Sequence, residues 1–193
     1  MAKKGFAHLH VHTEYSMLDG AARLSDLFTH TRELGMDSIA TSDHGFLFGA
    51  FDFWRQAKAN DVKPIIGVEA YLTPGTHRSD RSRVRWGDGS RDDVSGGGAY
   101  THMTMWAETT EGMHNLFRAS SIASLEGQLY KPRMDREVLQ TYSKGLIATT
   151  GCPPGEIQTR LRLGQYQEAV AAAAEFRDIF GKGNFYCEVM DHG

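Results

Sequence analysis

Histidines at positions 8, 10 and 12 alternate with Leu9 and Val11 near the start of the chain. A strand sends successive side chains to opposite faces, so a strand over Phe6–His12 sets three imidazoles along one face. Two imidazoles at i and i+2 form a ready grip for a divalent ion. The blander reading, a face of satisfied core histidines, requires a separate polar partner for each half-buried ring. The pattern therefore favours a fold in which a strand faces a polar, metal-holding site.

The rest of the chain predicts strands and helices in alternation. Helical spacing over Arg23–Gly35 is followed by a strand over Asp37–Thr41, a helix over Phe48–Asn60 and a β-branched strand over Pro64–Leu72. After residue 99 come a strand over Tyr100–Ala107, helices over Glu111–Leu125 and Met134–Tyr142, and a strand over Gly145–Thr150. A helical pair over Pro154–Leu163 and Gln165–Phe180 precedes a last strand over Asn184–Met190. Such alternation points to an α/β fold of parallel strands with outer helices. Thr73 to Ala99 interrupts it with Gly, Ser, Arg and Asp, which predicts a long excursion between strands.

Residues with metal-ligand chemistry recur where these strands end. Asp19 follows the first strand, Asp43-His44-Gly45 the second, and Glu69 ends the third; His102 lies in the fourth and Cys152 follows the fifth. In a β/α barrel the loops at the C-terminal strand ends build the active site. Each residue alone has an ordinary alternative, such as a turn, a cap or a buried small thiol. Five successive units that each offer a ligand type make one site the better reading. Imidazole, carboxylate and thiolate together suit Zn²⁺, Mn²⁺ or Fe²⁺, and such ions suit phosphate-ester hydrolysis. No Walker loop, dinucleotide fingerprint or nucleophile elbow competes with this reading.

Bulk properties narrow the setting. The net charge of −3 over 193 residues carries no basic excess, so attraction to DNA has to come from bound cations or a local patch. Two cysteines, Cys152 and Cys187, are too few for a disulfide framework and suit a reducing cytoplasm. No secretory signal follows Met1, and the longest aliphatic run, Ala169 to Ala174, falls short of the roughly 20 residues of a membrane span. Within the excursion, Arg78, Arg81, Arg83, Arg85 and Arg91 surround Trp86. Arg83, Arg85 and Trp86 are candidates to grip a DNA strand by phosphate contact and stacking. The interleaved Asp80, Asp88, Asp92 and Asp93 favour a solvated loop instead.

Several stretches resemble the PHP (polymerase and histidinol phosphatase) superfamily. They are His8-Leu-His-Val-His-Thr through Ala22, Ser42-Asp-His-Gly, Lys63-Pro-Ile-Ile-Gly-Val-Glu-Ala-Tyr, Asp92-Asp-Val-Ser-Gly, Tyr100-Thr-His, His114-Asn-Leu-Phe, Thr150-Gly-Cys-Pro and Met190-Asp-His-Gly. The similarity is closer to the PHP domain that opens the α subunit of bacterial DNA polymerase III, especially the actinobacterial type. It covers residues 1–193 as one domain.

The resemblance implies a distorted (β/α) barrel with a three-metal centre at its strand ends. His10 and His12 would hold one ion, Glu69 would bridge to a second completed by His102 and Cys152, and Asp19 with His44 would hold the third. His8 would be an inward-facing neighbour. Intact centres of this kind imply Zn²⁺- or Mn²⁺-dependent 3′→5′ proofreading at a DNA 3′ end, with the rest of the polymerase and replisome subunits as partners. The alternatives are a non-catalytic interaction module of the polymerase or a stand-alone phosphatase acting on a small phosphate monoester. The family's last Asp- and His-bearing motif has no counterpart before Gly193, so the barrel is expected to be incomplete at its C-terminus and two ligands short.

Overall fold

The computed structural model describes residues 5–87 and 98–191. Arg91 and the acids Asp88, Asp92 and Asp93 lie outside the described residues, as do the Asp92-Asp-Val-Ser-Gly stretch and His192. The elements in order are α1 (Leu24–Glu33), β1 (Ser38–Thr41), α2 (Ala50–Ala59), β2 (Lys63–Leu72), β3 (Thr101–Ala107), α3 (Thr110–Glu126), β4 (Gln128–Leu129) and β5 (Lys131–Met134). They continue with α4 (Arg136–Tyr142), β6 (Leu146–Thr149), α5 (Glu156–Arg162), α6 (Tyr166–Phe180) and β7 (Phe185–Tyr186). No helix among the described residues is long and apolar enough to cross a membrane.

The fold is α/β, with the strands in one sheet of order β4-β5-β2-β3-β6-β7 and β1 paired to the first half of β2. Along this path the sheet stays open. Its strands are mixed in direction, which corrects the expectation of parallel strands throughout. β3 runs antiparallel to both β2 and β6, whereas β1–β2, β2–β5 and β6–β7 are parallel. The cause is the connection: no crossover helix is described between β2 and β3, and without one a returning strand lies antiparallel.

Two further differences are local. Phe6–His12 forms no strand; it lies along β1 through main-chain bonds from Ala40 N to His8 O at 2.9 Å and from Ser42 N to Val11 O at 2.8 Å. The β4–β5 hairpin was not foreseen, because it is very short, turns on Tyr130 at φ 61° and contains Pro132. Its second strand takes Met134, so α4 begins after the Asp135 cap, whose carboxylate accepts from Val138 N at 3.0 Å.

Two apolar clusters flank the sheet. Val68, Met103, Met105 and Ala148 pack under Leu116, Leu139 and Phe176 of the helices on one side. Phe28 of α1 and Phe53 of α2 meet over Ile39 and Ile66 on the other, with ring centroids 4.9 Å apart. These clusters leave the strand ends free to carry polar side chains.

The root of the 73–99 excursion is tied down by Arg133, which is 1% exposed. Its guanidinium donates to the carbonyls of Gly127, Ala99, Arg78 and Asp80 at 2.8–3.2 Å. Arg78 in turn bridges Glu126, Asp135 and Glu137.

Candidate metal centre

Glu69 sits in the second half of β2, is 1% exposed, and is the hub of the site. Main-chain bonds set His44 beside it: Glu69 N donates to Asp43 O at 3.1 Å, and Gly45 N to Glu69 O at 2.9 Å. His102 stands at the start of β3, opposite Tyr71 of β2. Because β3 is antiparallel, its first residues reach the same sheet edge as the C-terminal ends of β1, β2 and β6. The reversal that breaks the parallel pattern thus delivers His102 to the site. His102 N also donates to Pro154 O at 3.2 Å, which draws in the loop after β6 that carries Cys152.

The contacts radiate from the Glu69 carboxylate. Oε1 accepts from His102 Nδ1 at 2.7 Å and from the Cys152 thiol at 2.8 Å. Oε2 lies 2.8 Å from His12 Nε2, 2.8 Å from His44 Nδ1 and 3.6 Å from His10 Nε2. Asp19 Oδ2 lies 2.8 Å from His44 Nε2 and 3.6 Å from His12 Nδ1. All seven ligand candidates named from the sequence therefore line one cavity of about 530 Å³, with Pro153, Pro154 and Met190 as apolar walls.

Asp43 organises the loop that brings Asp19 in. Its carboxylate accepts from Thr13 N at 2.7 Å, Thr13 Oγ1 at 2.8 Å, Ser16 Oγ at 2.7 Å and Thr41 Oγ1 at 3.0 Å. Gly20 closes the same loop: a Cβ there would fall 2.0 Å from Thr13 O, so only glycine fits.

Three buried atoms at the centre have no hydrogen-bond partner: His12 Nε2, His44 Nδ1 and Glu69 Oε2. They lie within reach of one another, yet none is aligned as a hydrogen bond. Leaving such atoms unpaired is costly, whereas an ion that takes their lone pairs removes the cost. The donor set fits a divalent metal. Ligand atoms lie within 4.8 Å of one another in three overlapping groups, His10–His12–Glu69, His12–Asp19–His44 and His44–Glu69–His102.

The electrostatics are strongly coupled. Burial acts to raise the Glu69 carboxyl, but the surrounding His10, His102, His12 and His44 outweigh it and hold the group well below the carboxylate range. Burial and the neighbouring Glu69 charge push the Cys152 thiol up. Burial would lower His10, yet Glu188 and Glu69 carry it up to about 9.

Other expectations land elsewhere. His8 is exposed and stacks edge-on against Phe6, so it is not inward-facing. One face of Trp86 carries the Arg160 guanidinium at 4.2 Å, Arg83 lies over the Tyr130 ring, and Arg85 is exposed. Sequence reasoning missed Glu188, whose Oε1 accepts from His10 Nδ1 at 2.5 Å. It stands in a segment read only as a last strand, and a lone carboxylate there gave no signal of its own.

The PHP domain family matches residues 8–192 of the chain. The chain belongs to that family. Relatives include the DNA polymerase III subunit alpha of Saccharopolyspora erythraea, 56% identical over 97% of this chain and 16% of that protein. The corresponding subunit of Mycobacterium leprae is 54% identical over the whole chain and 17% of its own length. The PHP chain thus spans about a sixth of these relatives. Among solved structures, an amidohydrolase from Chromobacterium violaceum overlaps 92% of this chain and 56% of its own at 14% identity and a TM-score of 0.39, too loose to bear on the site.

Proposed function

We propose that this PHP domain is a metal-dependent phosphoesterase that removes 3′-terminal nucleotides from DNA, serving as the 3′→5′ proofreading exonuclease at the N-terminus of a DNA polymerase III α subunit. The observation that carries this reading is the convergence of His12 Nε2, His44 Nδ1 and Glu69 Oε2, buried and without hydrogen bonds, inside a cavity lined by seven ligand-type side chains. Zn²⁺ or Mn²⁺ held there would bind phosphate oxygens, supply hydroxide from water near neutral pH and stabilise the departing 3′ oxygen.

The protein's own groups do the remaining work. His10, His12, Asp19, His44, Glu69, His102 and Cys152 would hold the ions, and both oxygens of Glu69 face ligand atoms. Pro153, Pro154 and Met190 keep one wall of the cavity apolar and limit competing water. Tyr71 and Tyr100 pack around the His102 ring and fix its plane. Arg83, Arg85 and Trp86 remain the candidates to grip the DNA strand by phosphate contact and stacking. The remaining polymerase chain and replisome subunits are the proposed protein partners, in the cytoplasm.

The test is release of the terminal nucleotide from a 3′-labelled oligonucleotide with Zn²⁺ or Mn²⁺. Activity that chelator and His12→Ala both abolish, with folding retained, is the expected result. A metal-loaded, folded protein that releases nothing would leave the interaction-module reading in place. Cleavage confined to small phosphate monoesters would replace the DNA substrate.

A further inference from the structure

Glu188 is 178 positions from His10 in the chain, and the two side chains meet beside Thr104 of β3 and Thr149 of β6. Both are largely buried, with side chains 10% and 11% exposed. Glu188 Oε1 accepts from His10 Nδ1 at 2.5 Å, while Oε2 accepts from Thr149 Oγ1 at 2.5 Å. The Glu188 amide donates to Thr150 Oγ1 at 3.0 Å, and Thr104 Oγ1 lies 3.3 Å from His10 Nδ1. With Nδ1 committed to Glu188, the other ring nitrogen, Nε2, is left facing Glu69 Oε2 at 3.6 Å.

We infer that Glu188, braced by Thr149, is the positioning residue of the His10 ligand: it fixes the ring's tautomer and plane so that Nε2 presents its lone pair to the ion shared with His12 and Glu69. This inference rests on the metal-centre reading above. A ligating histidine that gives its second N–H to a carboxylate is oriented and made more basic, and loss of such a carboxylate weakens metal binding by about 10–100-fold. Glu188 is assigned to positioning and not ligation, because it belongs to none of the groups whose ligand atoms lie within 4.8 Å of one another and its oxygens already accept from His10 and Thr149. Its place after β7, held to the end of β6 by Thr150 N donating to Tyr186 O at 3.0 Å, makes the last described segment of the chain a functional part of the site.

The experiment measures Zn²⁺ affinity of the 193-residue chain by chelator competition, for the parent and for Glu188→Ala, Glu188→Gln, Thr149→Val and His10→Ala, with circular dichroism as the check on folding. Glu188→Ala is expected to weaken the tightest Zn²⁺ site by about 10–100-fold with its fold intact. Glu188→Gln, whose amide oxygen still accepts from Nδ1, falls between parent and Glu188→Ala, and Thr149→Val gives a smaller loss than either. If Glu188→Ala fails to fold, the other two variants carry the test. Parental affinity in the Glu188 variants would overturn the inference alone, and so would Glu188→Gln losing an ion as completely as His10→Ala, which would make Glu188 a ligand. A parent chain that binds neither Zn²⁺ nor Mn²⁺ would overturn the metal-centre reading and this inference with it.

Discussion

The Asp43 carboxylate holds Thr13 twice, taking its amide at 2.7 Å and its hydroxyl at 2.8 Å. Because Ser16 and Thr41 bind the same group, one buried acid fastens the end of the histidine segment to the end of β1 and sets the loop carrying Asp19. Asp43→Ala leaves several buried donors without an acceptor and is expected to destabilise the chain by about 2–4 kcal/mol. Urea unfolding at neutral pH checks this, and a loss below about 0.5 kcal/mol, the scale of an ordinary surface change, would contradict it.

Asp135 gives a pH-dependent counterpart. Burial acts to raise its carboxyl, but the Val138 and Arg78 amides and the Arg78 guanidinium outweigh burial and hold it below its ordinary value. A carboxyl depressed in the folded state adds stability that is present above its unfolded pKa and lost as pH falls through the folded one. Asp135→Asn is therefore expected to cost about 1–2 kcal/mol at pH 7, with the gap to the parent closing below about pH 4. Parallel stability curves down to acid pH would show that the charge contributes nothing.

Arg133 is buried against four carbonyls, and among the described residues its hydrogen bonds go to these and not to a carboxylate. Replacement by Met keeps much of the packing volume but strands those acceptors, at an expected cost of about 2–4 kcal/mol. Proteolysis reports the same event locally: cleavage around residues 78–80 should quicken before the domain as a whole unfolds. Unchanged protection there would mean the excursion is held by Arg78 and its acids instead.

Most of the site was legible because ligand chemistry is sparse and strand ends are predictable. Helix and strand periodicity located β1, β2 and β6, with His44 and Cys152 in the loops after β1 and β6 and Glu69 in the second half of β2. His10, His12 and Asp19 were picked out by residue type and spacing on a segment that forms no strand. What escaped were relationships with no local signature. The reversal of β3 depends on how the chain returns after residue 72, which the composition of the excursion does not encode. The Phe6–His12 segment has strand alternation but makes too few ladder bonds to be a strand, because it runs along the outside of β1. Glu188 became visible only when the chain's two ends were brought together at His10.

Metal binding should register as stability. A ligand that binds only the folded state adds about 2.7 kcal/mol at 100 times its dissociation constant. Saturating Zn²⁺ or Mn²⁺ is expected to raise the thermal midpoint of the parent and to raise that of His12→Ala by clearly less, since two of the three ligand groups contain His12. Equal shifts in both would place the stabilising ion away from His12, either in the His44–Glu69–His102 group or outside the cavity.

Elemental analysis of the chain purified without chelators tests the metal centre most directly. At least one Zn, Mn or Fe ion per chain is predicted, with loss in Glu69→Gln, since the group that faces both ligand sets would no longer be a carboxylate. A folded chain that carries no metal and takes up neither Zn²⁺ nor Mn²⁺ on addition would contradict the account.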